Sequence, residues 1–134
     1  MAKVPEDIRR MFSNQVVIPM STSDKGGNPN VIYILMWWWM DDETIVVVDN
    51  FLNKTRKNLE ENSKVAFVCY DEKQDKSYQI KCSTKIETSG LLYEEGRLKA
   101  LNYKPPLPGK AVVVCKVTDV YEASGGPGSG SKLL

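Results

Sequence analysis

From Tyr78 to Thr88 apolar and polar residues alternate one for one. Tyr78, Ile80, Cys82, Thr84 and Ile86 share one parity, and Gln79, Lys81, Ser83, Lys85 and Glu87 share the other. That period of two predicts a strand with one buried face and one wetted face. Further β-type runs at Val16–Ser23, Thr44–Val48, Val65–Tyr70 and Ala111–Tyr121 predict four more strands. Val31–Met40 does not alternate. Tyr33, Leu35, Trp37 and Trp39 on one parity and Ile32, Ile34, Met36, Trp38 and Met40 on the other are all apolar. It reads as one long strand covered on both faces. The turn Asp24–Pro29 and the pair Asp41-Asp42 join it to its neighbours as a meander.

Three segments repeat at helical spacing instead. Val4–Ser13 has Pro5, Glu6 and Asp7 in its first turn and an apolar face of Ile8, Met11 and Phe12. Lys54–Asn62 is a short polar helix with Asn53 as its N-cap and Leu59 as its one large apolar residue. Leu91–Asn102, with Leu92, Leu98 and Leu101 as its expected inward residues, runs into Pro105, Pro106 and Pro108. Six strands with few long crossovers predict a mainly β fold, an antiparallel barrel flanked by short helices. Residues 1–123 form this single domain, and the Gly/Ser-rich residues 124–134 read as a flexible tail.

Composition narrows the functional classes. The chain's 134 residues suit one domain. A net charge of +1 gives no field to draw in nucleic acid or an anionic membrane, so neither is an expected partner. The longest apolar run is half of the ~20 residues a spanning helix needs. The acidic start does not resemble a signal peptide. Histidine is absent, which excludes histidine-based triads and leaves no expected metal site. Cys69, Cys82 and Cys115 are far apart, with no CxxC pair, and read as three buried thiols of a reducing cytoplasm. No side chain stands out as catalytic, so any redox chemistry must come from a cofactor.

Two segments carry chemistry. In Asp49–Asn62 a loop feeds a helix whose first turn holds Lys54, Thr55, Arg56 and Lys57. Unpaired N–H groups at a helix start, together with cations and a hydroxyl, make a phosphate seat. Cations there also oppose the helix dipole, so a solvated charged face is the other reading. The run Trp37-Trp38-Trp39 reads as a pocket wall or interface, or as plain core. A ten-residue strand with no polar face also predicts a homodimer.

The segment Ser21–Val31, the segment Asp41–Ile45 and the helix followed by Glu61-Asn62-Ser63-Lys64-Val65-Ala66 resemble the FMN-binding split barrels of the pyridoxamine 5'-phosphate oxidase type. The likeness covers roughly residues 5 to 122. It is strongest to small single-domain members from archaea and anaerobes. The resemblance implies a six-stranded antiparallel split barrel that binds FMN, usually as a homodimer with flavin at the subunit seam. It implies Asn53, Lys54 and Thr55 as phosphate contacts, Arg56 and Lys57 as weaker ones, and Gln79 beside the ring. Flavin-dependent oxidoreductase activity follows as an expectation.

Departures from the pattern cluster at the ring end. Tyr33 stands where relatives often have proline, and Cys82 and Thr84 where they often have small residues. With Leu35, Trp37 and Trp39, these residues form the expected ligand pocket. A pocket altered in this way, by natural divergence or by deliberate redesign, predicts the alternative: a non-enzymatic binder of an apolar, roughly steroid-sized ligand, with FMN lost.

Overall fold

The computed structural model describes residues 2–134 and contains ten regular elements in one chain order. Helix α1 (Glu6–Ser13) precedes β1 (Ile18–Ser23), β2 (Pro29–Ile34), β3 (Trp37–Asp41) and β4 (Thr44–Asp49). Helix α2 (Lys54–Glu61) leads into β5 (Lys64–Asp71) and β6 (Lys76–Glu87), and α3 (Leu91–Leu101) leads into β7 (Ala111–Glu122). The seven strands form one antiparallel sheet in the order β2-β1-β5-β6-β7-β4-β3. The sheet curls into a half-barrel around a core that includes Phe12, Ile18, Met20, Ile45, Phe67, Ile80 and Val113.

The alternation read along β6 holds: Ile80 and Cys82 are buried in that core, and Tyr78 and Ile86 pack against it half-buried. So does the apolar face of α1, where Ile8, Met11 and Phe12 are buried. The expectation of six strands fails at one place. Val31–Met40 is not one strand but two, β2 and β3, at opposite edges of the sheet. The β1–β2 ladder ends at Ile18↔Ile34, and the next ladder begins at Trp37↔Val47 with β4 as the new partner. Leu35 and Met36 make the bend between them without Gly or Pro, so nothing in the polarity pattern marks it.

The split also corrects the shared face of Tyr33, Leu35, Trp37 and Trp39. Trp37 and Trp39 pack on the main core, and Trp39 meets Phe12 edge to face at 6.3 Å between ring centres. Trp38 points the other way into a second cluster formed by Val46, Val48, Val112, Val114 and the inner side of α3. Each face of β3 thus packs in part within the chain itself, with its three tryptophans half-buried and Met40 exposed. Of the residues expected to face inward from α3, Leu92 packs on that second cluster half-buried. Gly96 and Ala100 are the helix's buried residues, whereas Leu98 and Leu101 are exposed. A small-residue face lets the helix lie close on the valines: a Cβ on Gly96 would stand 2.5 Å from Val112 Cγ1.

The last residues return along β7. Leu133 N donates to Val120 O at 2.7 Å, Glu122 N donates to Ser131 O at 2.9 Å, and Lys132 Nζ lies 3.6 Å from Asp119 Oδ1. No helix among the described residues is long and apolar enough to cross a membrane.

Candidate functional site

The loop that leaves β4 is pinned from several sides. Asp49 is a buried carboxylate at the end of a valine strand. Its Oδ1 accepts from Leu52 N at 3.0 Å, and its Oδ2 accepts from Arg56 Nη1 at 2.7 Å. Arg56 Nε also lies 3.5 Å from Glu60 Oε2. Asn50 Oδ1 accepts from Gly109 N at 2.9 Å, and Asp49 O accepts from Lys110 N at 2.8 Å. The start of β7 is therefore tied to the loop that starts α2. A turn with Gly109 at φ +53° makes this approach, a conformation that favours glycine.

Beneath α2 lies a small polar network. Asn30 Nδ2 donates to Thr55 Oγ1 at 3.0 Å and to Thr22 Oγ1 at 3.1 Å, and Asn58 Nδ2 donates to Thr22 Oγ1 at 3.1 Å. Thr22 and Thr55 are both buried. This network fastens the helix to β1 and β2, and it turns the Thr55 hydroxyl under the helix toward Asn30.

Three clefts surround this helix start. The first, of about 670 Å³, is lined by Phe51, Leu52, Asn53, Arg56, Lys57, Lys110 and one carboxylate, that of Glu60, which lies 3.5 Å from Arg56 Nε. The second, of about 380 Å³, is an apolar groove whose walls include Ile32, Tyr33, Leu35, Phe51, Tyr103 and Leu107. The two share Phe51 and Leu52. The third, of about 300 Å³, lies between the β1–β2 turn and α2, where Asp24 and Asn28 face Lys54, Lys57 and Asn58. Asp24 is held by its own turn, accepting from Asn28 Nδ2, Asn28 N and Gly26 N at 2.9 Å each. Those bonds, the Asn28 side chain foremost, hold its carboxyl below the ordinary value.

The electrostatics of the helix start follow. α2 has no acidic residue in its first turn and no side-chain hydrogen bond at its N-cap. Among the described residues no carboxylate lies within ion-pairing distance of Lys54, Lys57 or Lys110. The Arg56 charge is matched by Asp49 and Glu60. The first cleft therefore presents two unmatched ammonium groups and the positive end of a helix next to an apolar groove.

The residues expected from sequence are only partly brought together. Asn53, Arg56 and Lys57 line the first cleft, Lys54 and Lys57 the third, and Thr55 lies under the helix. Tyr33 and Leu35 line the groove, with Tyr33 73% exposed. Trp37 and Trp39 face a separate shallow cleft with Val16 and Leu35. Cys82 sits at 1% exposure in the main core beside Ile80, because it shares the inward parity of β6. Thr84 Oγ1 donates to Ser63 O at 2.9 Å. Gln79 pairs with Val68 and Tyr121 toward the other end of β5 and β6, away from the α2 start. Sequence reading did not single out Lys110 or the Thr22–Asn30–Asn58 network. Lys110 follows a proline-rich stretch and has no local pattern to mark it. Asp49 carried a usable signal, as an acid that directly continues a fully buried valine strand.

This curled sheet, with a cation-bearing helix at its open side, is the fold of the FMN-binding split barrels. The sequence profile described as pyridoxamine 5'-phosphate oxidase matches residues 4–124, and the chain belongs to that family. The uncharacterized protein MJ0282 of Methanocaldococcus jannaschii is 36% identical over 136 aligned residues, covering 98% of this chain and 88% of that one. Among solved structures, HupZ of Group A Streptococcus superposes with a TM-score of 0.81 at 24% identity, over 95% of this chain and 99% of that one. An FMN-binding protein of Syntrophomonas wolfei superposes with a TM-score of 0.74 at 22% identity, over 87% and 84% of the two chains. At these identities the two structures speak for the fold.

Proposed function

We propose that this protein binds FMN or a closely similar phosphorylated, flat aromatic ligand. The phosphate lies at the helix start Asn53–Lys57 and the ring lies in the groove walled by Tyr33, Leu35, Phe51 and Tyr103. The observation that carries this reading is the continuity of the two clefts through Phe51 and Leu52. One ligand can place a charged end among unmatched cations and an apolar ring among aromatic side chains. Family membership and the FMN-binding protein of the same fold support the choice of flavin. Bound flavin would supply the redox chemistry of an oxidoreductase. The chain's own residues hold the phosphate, cover the ring and limit water at its face.

The working form is a homodimer. Gln79 lies on the wetted face of β6 in a row with Val68 and Tyr121, remote from its own α2. A second copy laid on this face brings Gln79 to the ring. Three unpaired buried thiols support a reducing, cytoplasmic setting.

Titration of the ligand-free protein with FMN and riboflavin, followed by flavin fluorescence and by sedimentation, tests the reading. Saturable FMN binding at one site per chain, tighter than riboflavin, is the expected result. Equal affinity for both ligands, or no binding of either, overturns it.

A further inference from the structure

We infer that Lys110 is a phosphate-binding residue of this site, supplied by the connection that enters β7, across the cleft from α2; this rests on the flavin reading above. Three observations lead to it. Lys110 lines the same cleft as Asn53 and Lys57. Its backbone N–H is bonded to Asp49 O, and the preceding Gly109 N–H is bonded to Asn50 Oδ1, so its base is fixed to the loop that positions α2. Among the described residues its ammonium group has no carboxylate in ion-pairing distance, and it rests 5.8 Å from the centre of the Phe51 ring, the aromatic residue shared by both clefts.

Charge matching favours Lys110 over the more obvious arginine. Arg56 is nearer in sequence to the expected phosphate contacts, but its guanidinium is held by Asp49 and Glu60. A phosphate monoester carries close to two negative charges at neutral pH. Lys57 supplies one unmatched cation on the α2 side. Lys110 supplies the second on the facing side, so the anion is held between two elements rather than at one helix end. A lysine suits this role because its flexible stem lets the ammonium leave the Phe51 face and reach the ligand. The Phe51 ring is then free to cover the flavin.

The test compares Lys110→Ala, Lys110→Arg and Lys57→Ala, each titrated with FMN and riboflavin at two salt concentrations. Lys110→Ala is expected to weaken FMN about tenfold, as for loss of one charge-assisted contact. It should leave riboflavin within about twofold and reduce the salt dependence of FMN binding. Lys110→Arg should retain most of the affinity. Unchanged FMN affinity in Lys110→Ala, while Lys57→Ala loses it, overturns the role of Lys110 and leaves the flavin reading standing. Equal losses for FMN and riboflavin also overturn it, because the residue would then act on the groove. Failure of the unaltered protein to bind FMN overturns both.

Discussion

Arg56 turns back on the loop that precedes it and donates from Nη1 to Asp49 Oδ2 at 2.7 Å, with the Asp49 side chain only 2% exposed. The pair closes the connection between β4 and α2 and matches the charge of Arg56, which still lines the cleft. Removing one partner leaves the other charge buried without compensation. Arg56→Ala should therefore lower stability by about 2–4 kcal/mol. The double variant with Asp49→Asn should lose less than the sum of the two single changes. Urea unfolding of the four proteins measures this. Strict additivity would show that the pair does not act as a unit.

A second expectation concerns α3. Gly96→Ala adds a Cβ that would stand 2.5 Å from Val112 Cγ1, on strand β7 that has no room to recede. Overpacking of this kind costs about 1–3 kcal/mol, against which alanine gains up to about 1 kcal/mol of helix propensity. The melting temperature should fall, and Val112→Ala should recover part of the loss when combined with it. A rise in melting temperature on Gly96→Ala alone would mean that the helix is free to shift outward.

The thiols set a third expectation. Burial pushes the Cys69 thiol up to about 11 from an ordinary 9.0, and burial raises Cys82 and Cys115 well above that ordinary value too. Between pH 9 and 11 the unfolded chain loses these protons while the folded chain keeps them. The folded state then binds more protons, so stability is fully present below pH 9 and falls as pH rises. The slope reaches about 1.4 kcal/mol per pH unit for each thiol. Denaturation midpoints from pH 8 to 10.5 measure it, and a flat profile contradicts it. Alkylation at pH 8 should likewise modify no cysteine until the protein is unfolded.

Much of the fold is legible in the sequence because burial there follows a local period. β6 alternates from Tyr78 to Glu87, and α1 repeats at Ile8, Met11 and Phe12, so their inward faces can be read directly. Val31–Met40 misleads because both of its halves are apolar, and the change of strand partner at Leu35 depends on where β1 begins, at Ile18 opposite Ile34. α3 misleads for a different reason. Its large leucines suggest a buried face, yet the close approach to Val112 is made by Gly96 and Ala100. Hydrophobicity says little about a contact in which two backbones come near each other.

The site is legible at its helix start and obscure elsewhere. The cations of α2 are local and can be seen in one short stretch. Their sorting between two clefts, the engagement of Arg56 by Asp49 across the loop and the arrival of Lys110 from the connection before β7 all depend on how the chain folds back on itself. Cys82 illustrates the converse. A family comparison suggests crowding of a ring, whereas strand parity alone sends its side chain into the core.

The last prediction separates the flavin reading from a groove altered to take an apolar ligand. Phe51 is 70% exposed at the junction of the two clefts, and Tyr103 lies on the groove wall. If the groove holds a flavin ring, Phe51→Ala and Tyr103→Ala remove apolar cover from the ring. They leave the phosphate end in place. Ring burial contributes ~25 cal/mol per Å², so losing ~60 Å² of cover lowers affinity about tenfold, for FMN and riboflavin alike. Lys57→Ala has the opposite signature, with a loss of ~1.5–3 kcal/mol for FMN and little for riboflavin. Tyr33 tests the altered groove. Its side chain stands at the rim, so Tyr33→Ala should change flavin affinity by less than about threefold if the ring already fits. If Tyr33 obstructs the ring, the same change should create FMN binding where the unaltered protein has none. Cys82 is not a useful second position, because glycine there would open a void in the main core. The measurement is a titration of all five proteins with FMN, riboflavin and a panel of apolar polycyclic compounds. Binding of a polycyclic compound that Phe51→Ala weakens, with no FMN binding before or after Tyr33→Ala, would replace the flavin with an apolar ligand in the same groove.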